Sequence, residues 1–232
     1  MTTDYQQARR FLMRKDRVLA AVIKRVGACQ LARIPHQPPF MALAEAIASQ
    51  QLSVKAADTI FARFCALFAP DNIPDAARLL QLDDETIRRS GFSRSKVAFL
   101  RDLATHVVEN RLMLDQLHEL EDRLVLEQLT AVKGIGTWTA EIFMLFRLQR
   151  PDVFPVDDLG LLKAAHKIYG LRQRPTKKKL LKMADAWRPY RSVAAWYLWR
   201  SLSIATPTER VISTKRSAPR SRGSRSRRRS QA

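Results

Sequence analysis

Two short groups of residues could do chemistry: Lys133-Gly134-Ile135-Gly136, and the aspartate pair Asp157-Asp158 about twenty residues further on. The chain has only seven glycines, and two of them stand two residues apart between apolar runs. Such a pair marks a backbone that turns through positive φ or admits a close neighbour. At the tip of a tight turn between helices, it would point N–H groups outward beside the N-terminus of the second helix. With Lys133 alongside, that is an anion-binding arrangement. The Gly-x-Gly spacing alone favours an ordinary αα-corner. The aspartates follow Pro155 where a helix begins, and a carboxylate there is favoured by the helix dipole. One aspartate suffices for a cap, so the second invites another explanation. The four tryptophans, Trp138, Trp187, Trp196 and Trp199, all follow the start of the turn. Each is either core filling or a stacking surface.

The elements that must position these residues read as helices nearly throughout. Apolar residues recur at steps of three and four over 5–26, 39–50, 53–68, 93–111, 121–132, 137–148, 158–170, 176–187 and 190–205. Ser53 is an N-cap candidate and Gly91 a C-cap candidate. Convincing alternating strands are absent, so the fold class is all-α. Segments 85–100 and 127–143 share a helix–glycine–turn–helix form, but the match is too weak for a repeat. No apolar run reaches the ~18–20 residues of a membrane span, and the N-terminal residues carry no signal-like apolar stretch. Cys29 and Cys65 lie far apart. Their placement argues against a disulfide framework, a zinc site or an iron–sulfur cluster, and for buried or idle thiols in a reducing compartment.

Charge is the strongest bulk signal. There are 41 Lys and Arg against 22 Asp and Glu, a net +19. From Lys215 onward the chain has eight basic residues and no acidic one; without them the remainder is still +11. A basic body as well as a basic tail suggests a polyanion partner. The Ser/Arg-rich tail lacks core-forming residues, is expected to be disordered, and suits non-specific, salt-sensitive phosphate contact.

Leu129, Val132, Gly134-Ile135-Gly136 and Thr139-Ala140 together resemble the helix-hairpin-helix DNA-binding motif, which makes phosphate the partner of the glycines. The segments 49–57, 91–104, 132–143, 152–160 and 187–199, in that order, resemble the 3-methyladenine DNA glycosylase II branch of the helix-hairpin-helix DNA glycosylase superfamily. The resemblance implies two helical lobes flanking a cleft, without an N-terminal β domain. It implies a helical core over 1–210 and a basic tail over 211–232. It puts the catalytic carboxylate at Asp158, with Asp157 capping the helix and sharing the substrate pocket. Trp138 and Trp199 match the family's pocket positions, where indole faces would bind a flipped, electron-poor base. A further family aromatic is replaced by Ile142. Lys133, Gly134, Ile135, Gly136, Thr139 and Ser53 match the DNA-binding positions, and Gln51 matches the wedge that fills the gap left by the flipped base.

The implied reaction is hydrolysis of the N-glycosidic bond of alkylated purines such as 3-methyladenine or 7-methylguanine. Trp138 stands where strand-cutting relatives carry a catalytic lysine, which implies a monofunctional enzyme using water. No metal or organic cofactor is expected, and the one ion the resemblance allows is a monovalent cation at the hairpin. The expected partner is double-stranded DNA containing damaged bases, met by a monomer without membrane attachment, in the nucleoid of a bacterium or the nucleus of a eukaryote. Two alternatives stand beside this: a glycosylase for mismatched or oxidised bases, and a non-catalytic DNA-binding module.

Overall fold

The computed structural model describes residues 3–35 and 37–203. The basic tail over 211–232, expected to be disordered, lies outside them. The described residues contain helices and no strand. In chain order the helices are α1 (Tyr5–Lys15), α2 (Arg17–Val26), α3 (Pro39–Ser49), α4 (Val54–Cys65), α5 (Ala76–Gln81) and α6 (Asp84–Arg89). Then come α7 (Arg94–Val108), α8 (Asp122–Thr130), α9 (Thr137–Phe146), α10 (Leu159–Ile168), α11 (Lys177–Ala184) and α12 (Arg191–Leu202). Among the described residues, no helix is long and apolar enough to cross a membrane.

Two apolar clusters organise the chain. The first spans Phe40 to Val153 and packs α3 to α9 around Leu43, Ile47, Phe64 and Leu100. The second joins the two ends of the described chain: Leu12, Leu19 and Ile23 of α1 and α2 meet Leu161, Trp187 and Tyr197. Helix α9 serves both, giving Ala140 and Phe143 to the first cluster and Leu145 to the second. The joint is fixed beside it, where Arg191 donates from Nε to Asp152 Oδ1 at 2.8 Å and the Ser192 N–H donates to the Pro151 carbonyl at 3.0 Å. The seam between the lobes therefore runs along α9, directly behind the glycine turn.

The continuous helical spacing over 5–26 does not give one helix. The chain breaks at Asp16, which adopts an extended conformation and caps α2 through Leu19 N–H to Oδ1 at 2.9 Å. Its other oxygen accepts from the Trp187 indole at 3.0 Å and from the Tyr169 hydroxyl. Burial, and the carboxylate accepting this hydrogen bond, push the Tyr169 phenol far above its ordinary value. Trp187 is fully buried, so it belongs to the core. Asp16→Ala should leave two donors without an acceptor and remove a cap. The expected loss is on the order of 3 kcal/mol of unfolding free energy in urea, with an unchanged m-value. A loss below about 1 kcal/mol would mean that water replaces the carboxylate at little cost.

Candidate active site

Asp158 is the N-cap of α10, and its Oδ1 accepts from the Leu161 N–H at 2.9 Å. Two indoles converge on the same carboxylate. Trp199 donates from Nε1 to Oδ1 at 2.8 Å, and Trp138 donates from Nε1 to Oδ2 at 3.0 Å. Trp138 comes from the start of α9 and Trp199 from the end of α12, so the carboxylate bridges elements that are distant in sequence. Gly160 makes room for this. A Cβ there would lie 2.8 Å from Asp158 Oδ1 and 3.1–3.2 Å from the Trp199 indole. Three N–H donors thus fix the direction of a partly exposed carboxylate, with no cation against it among the described residues.

The turn between α8 and α9 is anchored from inside. Gly134 has φ +83°, and a Cβ on it would fall 2.3 Å from the Phe99 ring, so conformation and close packing both require glycine. The Lys133 N–H donates to Asp102 Oδ2 at 2.8 Å, and Gln50 Nε2 donates to the Gly134 carbonyl at 2.8 Å. Val132 and Ile135 are buried in the first cluster. On the outer side, the amides of Gly136, Thr137, Trp138 and Thr139 find no acceptor among the described residues. Unsatisfied donors at a helix N-terminus favour an anion. Lys133 is 77% exposed beside them, its ammonium 3.5 Å from Asp102.

Next to this turn lies a cavity of about 580 Å³, walled by Ala42, Glu45, Ser49, Gln50 and Gln51, by the turn glycines Gly134 and Gly136, and by one side of α9 ending at Arg147. The wall on the α9 side is Trp138, Thr139, Ile142 and Phe143. Trp138 is 42% exposed, with Asp158 behind its N–H. Gln51 stands at the rim with φ +58°, an uncommon conformation for a residue with a side chain. It is held there from behind, where Lys96 Nζ donates to the Ala48 carbonyl at 2.7 Å and the Gln50 carbonyl at 2.8 Å.

The structure brings together Asp158, Trp138, Trp199, Lys133, Gly134, Gly136 and Gln51, and it revises several expectations. Asp157 neither caps α10 nor lines the cavity; it turns outward to pair with Lys177 at 2.6 Å, and Asp158 does the capping itself. Trp199 does not line the cavity either, because its ring stacks on Phe146 at 5.6 Å while its N–H is committed to Asp158. Ile135 offers a ligand neither its side chain, which is core, nor its N–H, which donates to the Val132 carbonyl at 3.1 Å. The Thr139 side chain is buried against the cavity, leaving its amide at the turn. Ser53 is exposed and caps α4 through the Ala56 N–H at 3.4 Å. Gln50, Lys96 and Asp102, which fix the turn and the rim, were missed. Each acts on a residue 31 to 84 positions away, which no local spacing reveals.

Comparison with known proteins places this geometry. The family described as HhH-GPD superfamily base excision DNA repair protein matches residues 44–189. The alkylbase DNA glycosidase-like protein mag2 of Schizosaccharomyces pombe is 30% identical over 200 residues, 85% of this chain and 94% of that one. DNA-3-methyladenine glycosylase 1 of the same yeast is 34% identical, over 82% and 84%. The solved structure of Schizosaccharomyces pombe 3-methyladenine DNA glycosylase (Mag1) in complex with abasic DNA superposes with a TM-score of 0.74 at 32% identity, over 86% and 98% of the two chains. That of a DNA-3-methyladenine glycosidase from Bacillus halodurans gives 0.76 at 38% identity, over 87% and 91%.

One turn along α9 from Trp138, the Glu141 carboxyl is half-buried. Burial, and then the charge of Asp157, push it up to about 7, while Arg191 pulls the other way. Folding therefore raises this carboxyl above its ordinary 4.5, so the folded chain holds a proton that the unfolded chain has released. Its contribution to stability declines as pH rises between those values. Glu141→Gln should accordingly gain stability over the wild type as pH rises from 5 to 8, by on the order of 2 kcal/mol, read from paired thermal melts. A difference that stays constant across this range would show that Glu141 does not hold the proton.

Proposed function

This chain belongs to the HhH-GPD superfamily of base excision DNA repair proteins, and from that premise we propose that it is a DNA glycosylase hydrolysing the N-glycosidic bond of alkylated purines. The observation that carries this reading is Asp158 held by two indoles beside a cavity that abuts an anion-binding turn. The turn grips a DNA phosphate through the outward amides of Gly136 to Thr139, with Lys133 adding charge. Gln51 enters the gap, and the flipped base occupies the cavity against Trp138 and Phe143. As the bond to the base breaks, positive charge builds on the deoxyribose, as in glycoside hydrolysis. Asp158 stabilises that charge and directs a water to the anomeric carbon, and the base leaves with the bonding electrons. That abasic DNA sits in the solved structure of a relative is consistent with such a product. The reading takes the active species to be a monomer acting wherever chromosomal DNA lies. Hydrolysis by water needs no organic cofactor. For a monovalent cation the turn offers backbone carbonyls alone, and that of Gly134 also accepts from Gln50.

Asp158→Asn is expected to slow base release by roughly a hundredfold or more, because the charge it removes matters most in the transition state. Affinity for an abasic duplex should change little. The measurement is single-turnover release of N3-methyladenine or N7-methylguanine from a duplex, with 8-oxoguanine as the contrast. Near-wild-type release by the variant would end the assignment.

The second expectation concerns the strand. A Schiff base at the sugar needs an amine at the reaction centre, and Trp138 carries none. Abasic strands should persist until alkali is added, and borohydride should trap no protein–DNA adduct. Efficient trapping by the wild-type protein would overturn the monofunctional reading.

A further inference from the structure

The cavity wall holds one carboxylate, Glu45, among otherwise neutral or cationic neighbours. Its two oxygens are unlike. Oε2 accepts from Gln37 Nε2 at 3.0 Å and lies 3.6 Å from Arg147 Nη2, whereas Oε1 meets no donor among the described residues. Arg147 is itself held, donating from Nη1 to the Pro35 carbonyl at 3.2 Å. The Glu45 side chain keeps 40% of its surface open. Gln37 and Arg147 thus fix the carboxylate from one side and leave a strong acceptor on the other. Around it stand the ring of Phe143 and the side chains of Ile142 and Trp138, an apolar lining in which a charge-assisted hydrogen bond gains strength.

We propose that Glu45 is a specificity-determining residue whose free Oε1 accepts a hydrogen bond from an N–H on the Watson–Crick edge of the flipped purine. This rests on the glycosylase reading above. Alkylation at N3 or N7 of a purine nucleotide makes the ring cationic and its N–H groups better donors, so the acceptor favours the damaged form over the neutral one. The positive charge starts on the base, opposite Glu45, and moves to the sugar, opposite Asp158. Glu45 therefore acts on recognition of the bound base and Asp158 on the barrier.

The test compares wild type, Glu45→Gln and Glu45→Ala on duplexes carrying N7-methylguanine or N3-methyladenine, which offer such N–H groups. The controls are 1,N6-ethenoadenine, whose etheno bridge closes that edge, and an abasic site, which has no base to read. With Gln, the half-saturating concentration for the alkylated purines should rise about tenfold, with the rate at saturation within about twofold. Ala should show the same pattern more strongly. Binding of the ethenoadenine and abasic duplexes should be unchanged, which also reports that the variants are folded. Equal losses on all four duplexes, or no loss on the alkylated purines, would overturn the proposal. A wild-type protein that releases neither alkylated purine would overturn the glycosylase reading and this inference with it.

Discussion

A carboxylate that must present its charge to a reacting sugar cannot be neutralised by its own protein, yet it must not swing freely. Asp158, to which we assign that role, meets both demands with neutral donors among the described residues: the Leu161 amide and the indoles of Trp199 and Trp138. An N–H orients a carboxylate without cancelling its charge, whereas a lysine or arginine would orient and quench it together. The neighbouring residue shows the alternative, since Asp157 is bound to Lys177 at 2.6 Å. Much of the surrounding architecture follows. The two indoles come from opposite ends of the C-terminal half, so α9, α10 and α12 must meet at one point, and position 160 must lack a side chain.

The same economy joins the turn to the rim of the cavity. Gln50 closes the α9 turn with its side chain and offers its carbonyl to Lys96, while the next residue, Gln51, stands at positive φ. Any displacement of the turn must therefore pass into the rim through one residue. Asp102 completes the frame, accepting the Lys133 amide on one side and lying 3.4 Å from His106 Nδ1 on the other. In the proposed reaction, the grip on the phosphate and the insertion of the wedge are then parts of one rigid unit, so no separate movement is needed to bring them into register.

What was legible in the sequence was whatever has a local cause. Helices announce themselves by apolar spacing, a cap by its residue type, and the tight turn by its glycines. Family resemblance singled out Asp158, Trp138 and Trp199 separately, and their hydrogen bonding was not legible, since nothing in the spacing places positions 138, 158 and 199 together. The break at Asp16 was hidden because the apolar period runs through it. Only Trp187 and Tyr169, more than 150 positions away, show why the carboxylate is worth more outside a helix than inside one. Asp157 was misplaced for the opposite reason: either aspartate could cap α10, and the choice depends on Lys177 across the fold. Glu45 and Glu141 were silent because their environments arise from packing of separate helices.

These contacts also separate affinity from selectivity. The net charge of +19 acts over distance, draws any nucleic acid, and weakens with salt. In the proposed reaction the amides of the α9 turn act at contact on a phosphate, which every nucleotide carries alike. Neither can tell a damaged base from an intact one. Discrimination must therefore arise within the cavity, from groups that meet the base edge and ring face. An apolar wall separates rings that differ by one methyl group by only about 1–3 kcal/mol, whereas a fixed polar group left unpaired costs more and so rejects more. The polar members of the α3 side of that wall, rather than its tryptophan, are where selectivity between lesions can reside.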